Sequence, residues 1–503
     1  MEKKKTSKKG AKKSTSKKIV AKKEVKEVAK EVVKDTKKVV ETVKETTKKN
    51  DYSLFKVLVL SILLVVVLTW IIPAGTYTGE EFQITEITRT GINELFLSIF
   101  YGANYYLIQI ILLLAVGLFY GIISKNKGYN GMVNKIANLW KGKEKVFVLV
   151  HSLVIALMTS VLTHPFAILV FIPLIYSVAK KLNLSKLSTV MTTFGAMLVG
   201  LMGTTYGTYG LEYINSYMGT KMDTMLLVRF GILALGYIAL NIFVILMEKK
   251  NSYEKVEEIY VADSEKGNSV GYFILFALLL VITLLGYVAW ETIFTTTVFT
   301  DFHTWLTQSV NVGGYPIFGY ILGNITALGS WDLFNISAIL LFTTVIIKFT
   351  SRIKWDEVFD RAVDGIKKMV KPIVLLTFAY SMFVICYWSG MTNTVINFFN
   401  SNDGFIPTLN AIGNALATFF HVDFGYSGFA LGAYYASKFA DKVNQILVIM
   451  TSMNGIISFI APTSVIMLVG LSLSKVSYKE WFKYIWKFVV AMLILLFIIY
   501  SII

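Results

Sequence analysis

Apolar residues run along this chain in stretches of about 20, each long enough to cross ~30 Å of hydrocarbon as a helix. Nine such runs predict spans: 54–74, 95–123, 187–210, 224–248, 269–291, 332–350, 372–390, 443–470 and 480–503. Inside a bilayer no water satisfies the backbone amides, so a helix is the form these runs take. Two further apolar regions are interrupted. Arms 146–160 and 166–180 meet at Ser160-Val-Leu-Thr-His-Pro165, and arms 405–420 and 428–438 flank His421-Val-Asp-Phe-Gly-Tyr-Ser427. Arms of 11 to 16 residues are too short to span. Lysines bracket the first pair on both sides, so the two regions read as re-entrant hairpins, one entering from each face. The amphipathic stretch 129–142 is expected on the membrane surface.

Charge orients the chain. Of a formal net +17, residues 1–50 carry nineteen lysines against seven acids, leaving +5 for the rest. With this tail cytoplasmic, the basic segments around Lys125–Lys145, Lys249–Lys266, Arg352–Lys371 and Lys475–Lys479 all fall inside, as the positive-inside rule requires. The acid-bearing segment from Gly75 to Glu94 and the C-terminus then fall outside. The expectation is a multi-pass protein of the cell membrane, retained by its first apolar run.

The lysine tail reads as disordered, with anionic lipid headgroups as its partners. Valines at 25, 28, 32, 39 and 43 leave a surface-lying helix as the alternative. Positive charge confined to one tail, rather than spread over a face, argues against nucleic acid. A chain that is 55% hydrophobic and 16% charged cannot close into a soluble globule. The single cysteine, Cys386, excludes intrachain disulfides and cysteine-clustered metal sites. An enzyme is not indicated: the chain has no HExxH pattern, GxSxG elbow or phosphate loop.

The order span, span, surface helix, hairpin, interrupted span, span occurs twice with opposite polarity, 269–291 being an additional crossing. The fold class predicted is therefore an all-α inverted-repeat transporter. Its parts are a tail 1–50, a first repeat 51–248 with hairpin 146–180, a cytoplasmic linker 249–268, and 269–503, with hairpin 405–438. His164 lies 41 residues before Thr205, and His421 lies 41 before Pro462.

Such folds bind a small polar solute near the midplane, where hairpin tips and unwound helices expose peptide groups. Four segments qualify. The first tip offers Thr163 and His164, which equally suit caps for the hairpin arms. Gly200–Gly210 offers Thr204, Thr205 and Tyr206, although Gly203 and Gly207 also fit a small-residue packing face. The second tip offers Asp423, Tyr426 and Ser427; an intramembrane acid is costly and functional by default, unless the tip is an external loop. Asn454–Ser464 offers Asn454, Thr463 and Ser464 beside Pro462, which on its own makes a kink. Asp423, His164 and His421 are candidates for proton coupling. Na⁺ near Gly203 or Pro462 is the alternative coupling ion, and no other cofactor is expected.

Ile71-Ile-Pro-Ala-Gly-Thr-Tyr77, the stretch from Trp355 to Pro372, Ile460-Ala-Pro-Thr-Ser464 and Ser477-Tyr-Lys-Glu-Trp481 resemble the YfcC and arginine/ornithine-antiporter-like branch of the ion transporter superfamily. That branch is itself C4-dicarboxylate carrier-like, with the p-aminobenzoyl-glutamate (AbgT) transporters more distant. The resemblance threads residues 51–503 and implies a scaffold domain, a mobile transport domain holding both hairpins, elevator movement and a homodimer. At the tips, where members of that branch carry acids and Ser-Gly-Ser-Gly, this chain has Thr163-His-Pro165 and Asp423-Phe-Gly-Tyr-Ser-Gly428.

The function expected is secondary transport of amino acids, preferably basic ones such as arginine, ornithine or lysine, by exchange or H⁺/Na⁺ coupling. No lysine or arginine is predicted at either tip, so Asp423 would meet a cationic group, with Tyr206, Tyr209, Phe424 and Tyr426 placed to stack on it. A carboxylate or peptide carrier using Thr204, Thr205, Asn454 and Thr463 is the rival. A channel or membrane scaffold is the reading from another class.

Overall fold

The computed structural model describes residues 53–78, 81–207, 210–250, 253–260, 267–421 and 423–503; the lysine tail, Tyr209 and part of the linker 249–268 lie outside them. By packing, the chain divides into Met1–Ser53 and Leu54–Ile503. The second unit is almost wholly helical, apart from an antiparallel pair of strands, Gly75–Thr78 with Glu81–Ile84, in the segment expected outside.

Six described helices are long and apolar enough to cross a membrane: Glu144–Val161, Leu226–Lys249, Val270–Tyr287, Leu333–Thr350, Val370–Ser389 and Tyr478–Ile502. A seventh crossing is made if Ile92–Tyr105 and Leu107–Ile123, which meet at 60°, are counted together. Of the nine runs expected to span, the others are bent, broken or short as helices. The run 95–123 bends because Tyr101-Gly-Ala-Asn-Tyr-Tyr106 puts polar, weakly helical residues at its centre, and Tyr106 leaves helical geometry at φ −90°, ψ 16°. The run 443–470 divides into Val443–Ile457 and Val465–Leu473, with Pro462 in the gap. The run 187–210 stays helical only from Lys186 to Met202, and Ser53–Thr69 is likewise shorter than a full span.

The hairpins also differ from expectation. The first arm of the first hairpin is an 18-residue helix, Glu144–Val161, and so is long enough to span. Its return is a 3₁₀ turn, Pro165–Val170, then Ile172–Lys181. In the second hairpin, Pro407–Phe420 is followed by Phe424–Lys438. Phe424 to Ser427, expected in the tip, are already helical because Asp423 caps the helix.

Many apolar side chains on the spanning helices are exposed. On Ser53–Thr69 the inward stripe is Leu54, Leu58, Ile62, Val65 and Thr69, while Leu60, Leu64 and Val67 point outward. This stripe follows helical spacing, but both faces are apolar, so only packing distinguishes them. Lys127–Trp140 and Trp355–Lys367 are short amphipathic helices. The latter lies on Leu107–Ile123 at a glycine crossing: a Cβ added to Gly365 would stand 2.1 Å from the Gly117 carbonyl and 2.7 Å from the Gly121 Cα. Only glycine permits backbones to approach so closely.

Candidate substrate-binding site

Asp423 is the N-cap of Phe424–Lys438, and its Oδ1 accepts the Tyr426 N–H at 2.6 Å. Its Oδ2 accepts the Tyr105 hydroxyl at 2.6 Å, reaching to the end of the bent helix Ile92–Tyr105. The Tyr105 ring stacks on Tyr380 of Val370–Ser389 at 4.0 Å between centroids and 7° between planes. Three elements distant in sequence thus converge on one carboxylate, which is itself buried.

Beside it lies a cavity of about 510 Å³, walled by Tyr101, Tyr105, Tyr213, Tyr380, Phe383, Tyr387, Trp388, Tyr426 and Phe429 together with Asn104, Val384, Asp423 and Gly425. Nine of these thirteen residues are aromatic and Asp423 is the one charged group, so the wall presents ring faces and a carboxylate but no cation. Such a surface attracts positive charge, because aromatic faces carry negative potential.

Of the residues expected at the site, this cavity gathers Asp423 and Tyr426. His421 lies behind them, buried, with its ring against Phe383 and Tyr426 and with no hydrogen-bond partner for either nitrogen among the described residues. Ser427 donates within its own helix to the Asp423 carbonyl at 3.3 Å. Phe424 packs its ring against Gly210 instead of facing a solute.

Thr163 and His164 sit elsewhere. They line a second cavity of about 320 Å³ with Glu212, Trp290, Glu291 and Trp331. The Thr163 N–H donates to the Tyr287 carbonyl at 2.7 Å, which seats the first tip on the end of Val270–Tyr287. The two tips therefore do not share one cavity in this structure.

The breaks are tied to the hairpins. Thr205 and Gly207 donate their N–H groups to the Ser160 carbonyl at 2.9 and 2.8 Å. Thr463 Oγ1 donates to the Phe419 carbonyl at 3.4 Å. Tyr206 is half-buried, Asn454 is buried within Val443–Ile457, and buried Ser464 has no hydrogen-bond partner for its hydroxyl among the described residues. Among those residues no cluster of three His, Cys, Asp or Glu side chains forms a metal site.

Sequence reading missed the partners that make Asp423 a site: Tyr105, Tyr380, Phe383, Tyr387 and Trp388. The one signal was the polar-aromatic centre of the run 95–123. It also missed Arg229, an arginine inside the apolar run 224–248 and fully buried.

Apolar helices of spanning length, others broken or bent, beside an open aromatic cavity define an integral membrane protein. The chain belongs to the C4-dicarboxylate anaerobic carrier (DcuC) family, whose sequence pattern matches residues 52–503. This places it among secondary carriers, without selecting the YfcC and arginine/ornithine branch. No curated protein matches the chain. The solved structures similar to it include the following two. The YdaH transporter of Alcanivorax borkumensis is 12% identical over 88% of this chain and 96% of its own, with a TM-score of 0.37. MtrF of Neisseria gonorrhoeae, from a structure described as illuminating a class of antimetabolite efflux pumps, is 13% identical over 89% and 94%, with a TM-score of 0.38.

Proposed function

We propose that this carrier moves a small solute bearing a cationic group, a basic amino acid or related amine, through the cavity at Asp423. The observation that carries this reading is the composition of the wall: a carboxylate set among aromatic rings, with no lysine or arginine facing it. An ammonium or guanidinium gains from both, by ion pairing and by contact with ring faces.

The rival reading, a C4-dicarboxylate, is favoured by the family. An anion would need donors, and the N-terminus of Phe424–Lys438 is the natural place for one. Asp423 already fills it, holding the Tyr426 N–H with its own carboxylate. A dianion would meet that charge at close range, which disfavours binding.

The same reading takes the two halves as inverted repeats, the hairpins with their broken helices as a moving unit, and elevator movement in a dimeric assembly. It places the N-terminus in the cytoplasm and the protein in the cell membrane. The ties from Thr205 to Ser160 and from Thr463 to Phe419 support each hairpin moving with its own broken helix.

Uptake of labelled arginine, ornithine and succinate into liposomes holding the purified protein separates the readings. Accumulation of the basic amino acids, competed by each other and not by succinate, is expected. Succinate uptake with no effect of arginine would hand the cavity to dicarboxylates.

A further inference from the structure

A further cavity, of about 260 Å³, lies along Glu144–Val161. Trp140, Phe147, Val154, Met158, Ile175 and Leu280 are among its walls, so both arms of the first hairpin and the span Val270–Tyr287 share it. Its one ionisable side chain, His151, is already engaged: Nδ1 lies 2.7 Å from the Phe147 carbonyl and Nε2 3.0 Å from the Thr192 hydroxyl. A polar solute would find no partner on such a wall, and water there would forfeit its hydrogen bonds. Val150, Val154 and Leu280 line the cavity and are nevertheless exposed. It therefore opens sideways, between two helices long and apolar enough to cross a membrane.

The cavity has a charged end. Trp140 closes the helix Lys127–Trp140, and Phe147 stands in the first turn of the next one. Between them come Lys141, Lys143 and Lys145, all exposed and without an ion pair among the described residues. The one acid in this turn, Glu144, accepts the Gly142 N–H at 2.7 Å, so positive charge prevails there. Trp140 beside the lysines suits the boundary between hydrocarbon and headgroups, where indole rings concentrate. From Phe147 to Met158 the wall follows the helix for ~16 Å. That is about half of the ~30 Å hydrocarbon thickness. The cavity is thus one leaflet deep, with cations at its headgroup end.

We propose that this cavity seats one phospholipid with an anionic headgroup, its phosphate beside Lys141, Lys143 and Lys145 and one acyl chain lying along the wall from Phe147 to Met158. Depth and charge together select this occupant: an uncharged apolar molecule would have no use for the lysines, and a soluble anion none for the wall. Lysines at a membrane surface attract anionic headgroups, and three of them favour such a lipid by about tenfold or more over a zwitterionic one with the same chains. The acyl chain fills the seam between the first hairpin and Val270–Tyr287, which makes the lipid part of that contact. The inference concerns the lipid-facing side of the protein and stands whichever solute occupies the Asp423 cavity.

The test reconstitutes the full-length protein into vesicles that carry a trace of phosphatidylglycerol or phosphatidylcholine with a photoactivatable diazirine in one acyl chain, and maps the crosslinked peptides by mass spectrometry. Phosphatidylglycerol is expected to label 147–158 and 168–175 about tenfold more than phosphatidylcholine does. Val154→Trp, which fills the cavity from its exposed side, is expected to lose this label while keeping that on the outward face of Ser53–Thr69. Exchange of Lys141, Lys143 and Lys145 together for Gln is expected to bring phosphatidylglycerol down to the phosphatidylcholine level. The lysine tail is common to all variants, and its attraction for anionic lipid does not place an acyl chain in the cavity. Labelling of 147–158 no denser than that of Ser53–Thr69, as when a second copy of the chain covers the groove, would overturn the site. Equal labelling by the two headgroups would overturn the anionic lipid. Both comparisons are made on the wild type, so the proposal stays exposed to refutation even where Val154→Trp is lost on purification.

Discussion

The hydroxyl of Tyr105 donates to Oδ2 of Asp423 across 318 positions of sequence, at 2.6 Å. One partner ends a bent helix of the first half and the other begins the returning arm of the second hairpin. Tyr105→Phe keeps the stack on Tyr380 and removes this single bond. A hydrogen bond to a charged group is worth ~1.5–3 kcal/mol, so apparent affinity for the transported cation should fall roughly tenfold, with maximal rate little changed. The concentration dependence of liposome uptake measures this; unchanged affinity would detach Tyr105 from binding.

Asp423→Asn separates charge from capping, since asparagine caps helices as well as aspartate does. The variant is expected to fold and insert normally while losing uptake of a cationic solute by about 100-fold or more, as when one member of a buried charge pair is neutralised. Wild-type uptake by Asp423→Asn would remove the carboxylate from the binding site.

At the glycine crossing, Gly365→Ala sets a methyl group against the Gly117 carbonyl. Overpacking of this kind costs about 1–3 kcal/mol, so melting in detergent should come clearly below wild type. Gly271→Ala is the control: a Cβ there meets nothing within 4 Å, and its melting should match or slightly exceed wild type. Equal behaviour of the two variants would show that the crossing bears no strain.

Deletion of residues 1–49 should leave uptake within error of the full chain. Abolished uptake, with normal insertion, would favour a role centred on the lysine tail, as in a scaffold.

Much of this arrangement was legible in the sequence. The apolar runs, the interruptions at Pro165, Gly203 and Pro462, and the lone acid at Asp423 follow from hydropathy and from the backbone restrictions of proline and glycine. The walls of the cavity were not. Tyr380, Phe383 and Tyr387 lie in an unbroken apolar run whose lipid-facing and inward-facing sides have the same character, so periodicity carries no direction there. The second tip is shorter than the apolar arms predict because the cap that ends it is Asp423 itself. Symmetry of sequence predicts the first tip beside Asp423, but symmetry of position is not proximity. In the structure Thr163 is instead bound to the Tyr287 carbonyl, in a cavity of its own.

The 60° bend between Ile92–Tyr105 and Leu107–Ile123 gives the chain a latch. Gly117 and Gly121 clamp the later segment against Trp355–Lys367, and Gly102 sets the earlier one as closely on Thr377 and Ser381 of Val370–Ser389. The phenol of Tyr105 is thereby pinned at the bend, and its bond to Asp423 and its stack on Tyr380 stand or fall together.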